Sequence, residues 1–191
     1  MASIQSRFPN CTHIMVVDFE ATCGPGVSKT DAEIIEVGAV LVSFTTEASL
    51  LELPTFHRYV RPTIVATLTP FCKNLTGITQ EQVDNGLLFE DMIDEWKVFL
   101  SEHHCTSNTV VFGCWTDFDI KQLRLELTRQ NIDFEFPYWI DLQKAYKNSQ
   151  QKNTIQSVSK ALAEQELEFI GQAHSALHDA LNTVRLIPFC S

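Results

Sequence analysis

The chain has 191 residues, 45% of them hydrophobic, with 7 Gly, 7 Pro and a net charge of −10 from 24 acidic and 14 basic side chains. That length suits one α/β domain, and the composition supports a packed core rather than a disordered or low-complexity protein. The acidity removes the long-range attraction on which non-specific duplex binders rely, and the longest uncharged apolar stretch, Val37 to Phe44, falls far short of the roughly 18 residues that span a bilayer.

Met1 to Asn10 offers no apolar core and no small-residue cleavage site, so an intracellular protein, cytoplasmic or nuclear, with no membrane partner is expected. The six cysteines form no CxxC pair and read as free thiols. Cys11-Thr12-His13 and His103-His104-Cys105 hold zinc-ligand types but lack the paired spacing of a structural zinc site. No repeat, charge run or Gly/Ser linker divides the chain, which predicts a single unit over 1–191 with its core at about 13–188.

In chain order, Cys11 to Phe19 carries the β-branched run Ile14-Met15-Val16-Val17 and predicts a buried central strand. Gly24-Pro25-Gly26 marks a loop over 21–31, and Glu33 to Phe44 and Leu53 to Val60 predict two more strands in a meander. Apolar residues from Phe89 to His103 recur at three- and four-residue spacing, predicting an amphipathic helix. A strand over Asn108 to Phe112 follows, then a helix carrying Ile120, Leu123 and Leu127, a short strand over Tyr138 to Leu142, a helix marked by Ile155, Val158 and Leu162, and a last one marked by Leu177, Leu181 and Val184. The order predicts an α/β fold with a mixed sheet, its late strands joined by parallel crossovers.

Three segments carry candidate chemistry. Asp18-Phe19-Glu20 puts two acids on one face of a strand end, about 7 Å apart along the backbone, where they could share a metal. A strand that simply ends in surface acids reads the same way. Gly113-Cys114-Trp115-Thr116-Asp117-Phe118-Asp119 lies where a strand meets a helix; Asp117 suits the helix cap and leaves Asp119 as a spare carboxylate. In His174-Ser175-Ala176-Leu177-His178-Asp179 the five-residue separation would set His174 and Asp179 about 140° apart on a helix. They can meet one site only if His174 precedes the helix, with Ser175 as its N-cap and Asp179 in its first turns.

Together these segments resemble the DEDDh family of 3′→5′ exonucleases, and more closely its histone-mRNA 3′-exonuclease and enhanced-RNAi branch. The resemblance rests on Val17 to Cys23, Glu33-Ile34-Ile35-Glu36-Val37-Gly38, Tyr59-Val60-Arg61-Pro62, Phe71-Cys72, Leu75-Thr76-Gly77-Ile78 and His174 to Asp179, and it runs from about Ile14 to Ile187. One segment departs from it. Members of that branch often read Gly-x-Trp-Asp at the second motif, whereas Thr116 follows Trp115 here, leaving Asp117 and Asp119 as rivals; the Phe118 neighbour and the distance to Leu123 favour Asp119.

The resemblance implies a ribonuclease-H-like mixed sheet flanked by helices, and two Mg2+ or Mn2+ ions. It implies Asp18, Glu20 and Asp179 around one ion, and Asp18 with water-mediated help from Asp119 around the second. It also makes His174 the general base; histidine's ordinary titration range brackets neutral pH. Four crowded carboxylates would repel one another without hard dications, which is consistent with that ligand set. The implied partner is a single-stranded RNA or DNA 3′ end, RNA favoured, touched by the backbone of Ala21 and Thr22 and by stacking on Trp115 or Phe118. Arg61, Lys121 and Arg124 are candidate phosphate contacts as well as ordinary solvated side chains. The competing reading is a catalytically idle nucleic-acid-binding or protein-interaction module of the same fold; oligomeric state is left open.

Overall fold

The structure is a computed structural model that describes residues 2–46, 48–154 and 156–190. A short helix α1 (Ala2–Arg7) precedes the meander β1 (His13–Ala21), β2 (Ile34–Ser43) and β3 (Thr55–Tyr59), whose neighbours pair antiparallel. Three helices follow: α2 (Pro70–Thr76), α3 (Gln80–Asp84) and α4 (Phe89–Glu102). Then β4 (Val110–Cys114), α5 (Asp117–Gln130) and β5 (Trp139–Asp141) alternate before α6 (Leu142–Ser149), α7 (Val158–Glu164) and α8 (Ala176–Leu186). The sheet runs β3-β2-β1-β4-β5, with β4 parallel to β1 and β5 parallel to β4. This is the expected ribonuclease-H-like mixed sheet flanked by helices.

β1 is central and covered on both faces, which is why its sequence reads as a continuous apolar run rather than an alternating one. Met15, Val17 and Phe19 enter one core with Trp96 of α4 and with Ile120 and Leu123 of α5. Ile14 and Val16 enter the opposite core with residues of α6, α7 and α8. Strand alternation therefore turns the next even-numbered residues, Asp18 and Glu20, toward the α8 side just where the apolar core gives out.

Several boundaries differ from the sequence expectation. β4 lies two residues later than expected, because Gly113 continues the strand; a Cβ there would meet Ile14 Cδ1 at 2.9 Å and Leu142 Cδ1 at 3.1 Å. α7 begins at Val158, and Ile155 lies outside the described residues. α1, α2, α3 and α6, with five to eight residues each, were not anticipated from periodicity. No helix among the described residues is long and apolar enough to cross a membrane, and the six cysteines are free thiols.

Candidate active site

Asp18 and Glu20 close β1, and a register shift between Glu20 and Ala21 marks a bulge at the strand end. Bulges of this kind re-aim side chains and end pairing. Asp179 reaches the same place from the first turn of α8. One carboxylate oxygen from each of Asp18, Glu20 and Asp179 lies within 4.8 Å of the others, a spacing that three ligands of one cation can adopt.

Asp119 stands behind this triad. It is 4% exposed in the first turn of α5, and its Oδ1 accepts the Phe19 backbone N–H at 3.0 Å, tying α5 to β1 between the two strand acids. Its rival Asp117 points elsewhere, pairing with Lys121 at 2.8 Å, which holds its carboxyl below the ordinary range. Asp117 is also not the helix cap: Thr116 fills that position, its hydroxyl accepting the Phe118 N–H at 3.3 Å.

The electrostatics register the crowding. Burial, and then the charges of Asp119, Asp179, Glu20 and Glu36, push Asp18 well above the carboxylate range. Burial and the same neighbours raise Glu20 to about 8. Burial raises Asp119 to about 7 against the lowering effect of its backbone hydrogen bonds, and Asp179 is raised chiefly by burial. Buried carboxylates that also crowd one another form a donor set that hard dications fit, since a bound cation would offset both the lost solvation and the mutual repulsion.

His174 lies two residues before α8, so the helix start meets the condition set by the sequence spacing. Its backbone is left-handed, φ 62°, a region where histidine is enriched but still uncommon. The conformation is held by its own N–H, which donates to Asp179 Oδ2 at 2.7 Å. From behind, buried Asn182 pins the approach loop by donating to Ile170 O and accepting from Ile170 N. His178 faces the loop, accepting the Gln172 N–H at 3.2 Å and packing on Gly171, where a Cβ would meet its ring at 2.5 Å.

Beside Glu20 opens a cleft of about 560 Å³ lined by Ala21, Thr22, Cys23, Leu75, Phe118 and Lys121 among others. Phe118 is 49% exposed there, and the cleft is also lined by Leu75 of α2, an exposed apolar side chain that was not singled out as a site residue in the sequence. Trp115 is corrected: it is 5% exposed, its indole N–H donates to Gln156 O at 2.8 Å and its ring packs against Tyr146, so it belongs to the core. Thr22 is buried and committed to Glu33, donating its N–H to the carbonyl and accepting the Glu33 N–H on its hydroxyl. Arg124 lies over the Phe136 ring, away from the cleft lining.

The sequence profile of the Exonuclease family, of the RNase T type, matches residues 15–187. The chain belongs to that family. ERI1 exoribonuclease 2 of Danio rerio is 32% identical over 191 residues, covering 91% of this chain and 34% of that protein. The 3′-5′ exoribonuclease 1 of Mus musculus is 33% identical, covering 91% of this chain and 51% of the relative. The chain thus spans about a third to a half of the length of these relatives. Among solved structures, the nuclease domain of 3′hExo, a DEDDh family member bound to rAMP, superposes with a TM-score of 0.77 at 28% identity over 95% of this chain and 96% of that one.

Proposed function

We propose that residues of about 13–188 form one metal-dependent 3′→5′ exonuclease unit that removes nucleotides singly from single-stranded 3′ ends, RNA ahead of DNA. The observation that carries this reading is the convergence of Asp18, Glu20 and Asp179 within 4.8 Å, on elements far apart in sequence, with Asp119 bonded behind them. An idle domain has no use for a buried, mutually repelling carboxylate set. The exoribonuclease relatives and the rAMP-bound neighbour support RNA as the substrate class.

In this reading Asp18, Glu20 and Asp179 would hold one divalent ion, Mg2+ or Mn2+, and Asp18 with Asp119 would hold a second. Bound there, two divalent ions supply positive charge against the developing charge of an in-line displacement at phosphorus. His174, exposed beside Asp179, takes the proton of the attacking water as its oxygen bonds to phosphorus. The bond from phosphorus to the 3′ oxygen breaks and that oxygen takes a proton from solvent, giving a 5′-mononucleotide and a chain with a new 3′ hydroxyl. Phe118 and Leu75 hold the terminal base by apolar contact, with base–aromatic stacking worth about 1–3 kcal/mol and indifferent to sequence. Ala21 and Thr22, which line the cleft beside Glu20, are the strand-end residues placed to approach the terminal sugar.

The test is digestion of 3′- and 5′-labelled single-stranded RNA and DNA with Mg2+. The 3′ label should leave first as mononucleotide, faster from RNA, and binding should show a shallow salt dependence, equivalent to about two to four phosphates at about −0.7 in log K per phosphate. Release of the 5′ label first, faster digestion of blunt duplex DNA, or a slope equivalent to about eight phosphates would refute it.

A further inference from the structure

Glu36 is a charged residue in the middle of the apolar run of β2, and it is 1% exposed. A carboxylate in that position is costly unless it is paired and hydrogen-bonded. Its bonds all lead to one place. Oε2 accepts the Ala176 backbone N–H at 3.1 Å, while Oε1 lies 2.7 Å from His57 Nε2 on β3 and 3.4 Å from Ser175 Oγ.

Ala176 opens α8, and the first N–H groups of a helix need acceptors from outside it, the N-cap side chain ordinarily taking the second or third of them. Ser175 occupies the N-cap position without making that bond; its hydroxyl turns to Glu36. The cap of α8 therefore comes from another strand. Two residues along β2, Gly38 lets the helix lie directly on the sheet, since a Cβ there would sit 2.1 Å from Ala176 C. Asp179 belongs to this latched turn, its N–H donating to Ser175 O at 2.9 Å, and it in turn holds His174 through the 2.7 Å bond.

We infer that Glu36, braced by His57, is the positioning residue for Asp179 and His174: it caps α8 from β2 and so sets where the helix brings both groups relative to Asp18 and Glu20. This rests on the reading above that Asp179 and His174 serve the reaction. What matters in this role is reach, an acceptor oxygen at the right distance from Ala176 N–H, rather than negative charge. Glu36→Gln keeps the length and an acceptor while losing the charge; Glu36→Asp keeps the charge and loses a methylene of reach.

Wild type, E36Q, E36D and E36A are stripped with chelator, and the rise in melting temperature on adding Mn2+ is measured. Then kcat and KM are measured on 3′-labelled single-stranded RNA. E36D and E36A should lose kcat roughly 10- to 100-fold, as a sub-ångström to 1 Å misplacement does, with KM moved by less than about threefold and a weaker Mn2+ response. E36Q should retain the larger share of both, and His57→Ala should move kcat in the same direction as E36D but less. E36D equal to or better than E36Q in kcat and Mn2+ response, or a folded E36A with wild-type kcat, overturns the inference. If E36A does not fold, the Gln-against-Asp comparison decides. Wild type that responds to Mn2+ yet releases no nucleotide defeats the exonuclease reading alone, and the Mn2+ responses of E36Q and E36D still judge Glu36.

Discussion

Gly38→Ala is a pure packing test of how α8 is seated. Gly38 pairs with Asp18 across β1 and β2, and a Cβ added to it would lie 2.1 Å from Ala176 C, 2.2 Å from Leu177 N and 2.4 Å from Ala176 O. All three neighbours are backbone, so no side-chain rotation relieves the clash. Reaching ordinary contact near 3.4 Å requires α8 to retreat by about 1.3 Å in an interior packed to crystal-like density. Overpacking of a core costs typically about 1–3 kcal/mol, and a helix backbone without room to turn aside puts this site at about 3 kcal/mol. For a chain of this size that is a fall of about 6–12 °C in melting temperature. Because Asp179 rides on the displaced turn, nucleotide release by the folded protein should drop about 10²-fold, the cost of a misplacement near 1 Å. Gly113→Ala is the control: the atoms nearest its Cβ would belong to the side chains of Ile14 and Leu142 rather than to backbone, so it should be milder in both readouts. Thermal melts by circular dichroism and single-turnover release from 3′-labelled RNA below the transition measure both. A G38A protein with wild-type melting temperature and rate would refute the packing argument.

Asp18→Asn and Asp179→Asn should abolish nucleotide release while leaving the metal-free fold as stable as wild type or more so, because each removes a charge from a repelling set; near-normal release with Mg2+ present would refute the ligand assignment. His174→Ala should lower the rate about 10²–10⁴-fold without weakening metal binding, the range for loss of a general base. His178→Ala should cost mainly stability, since His178 packs on Gly171 and accepts the Gln172 N–H; if it is the more damaging to the rate, the base has been misassigned. Folding raises Glu20 from 4.5 to about 8 and Asp119 from 3.8 to about 7, so between these values the folded state binds more protons than the unfolded one. The stability of chelator-treated protein should therefore fall as pH rises from about 4 to about 8, and Mg2+ should restore it at pH 8. Melts at pH 5.5 and 8 with and without Mg2+ check this, and a metal-free melting temperature that rises over the interval would contradict it.

The long elements were legible in the sequence: β1 and β2 as apolar, β-branched runs and α4, α5 and α8 as periodic stripes lie where the sequence puts them, and β3 falls inside the expected 53–60. α2 and α3 are too short to show a period, although their punctuation is present: Thr69 caps α2 ahead of Pro70, with Gly77 left-handed at its end, and Thr79 caps α3. α6 was hidden because Asp141 both ends β5 and caps the helix that follows without a turn, accepting the Lys144 N–H at 2.8 Å. At the candidate site, Asp18 and Glu20 stand out as acids closing an apolar strand. The choice between Asp117 and Asp119 depends on which side of α5 faces β1, and Trp115 as core or contact depends on α6 and the loop before α7; neither is a local property. Glu36 was within reach of sequence reasoning, since a lone acid in an otherwise apolar strand must be paired, but its partners Ala176 and His57 lie far away along the chain.

The central claim is that these carboxylates, with a divalent ion, cut the terminal nucleotide from a 3′ end. It is tested most directly by single-turnover digestion of a 3′-labelled single-stranded RNA by wild type and D18N side by side, with Mg2+ and with EDTA. The account predicts labelled 5′-mononucleotide from wild type with Mg2+ and none in the other three reactions. Equal release by D18N, or release by wild type that persists in EDTA, would contradict it.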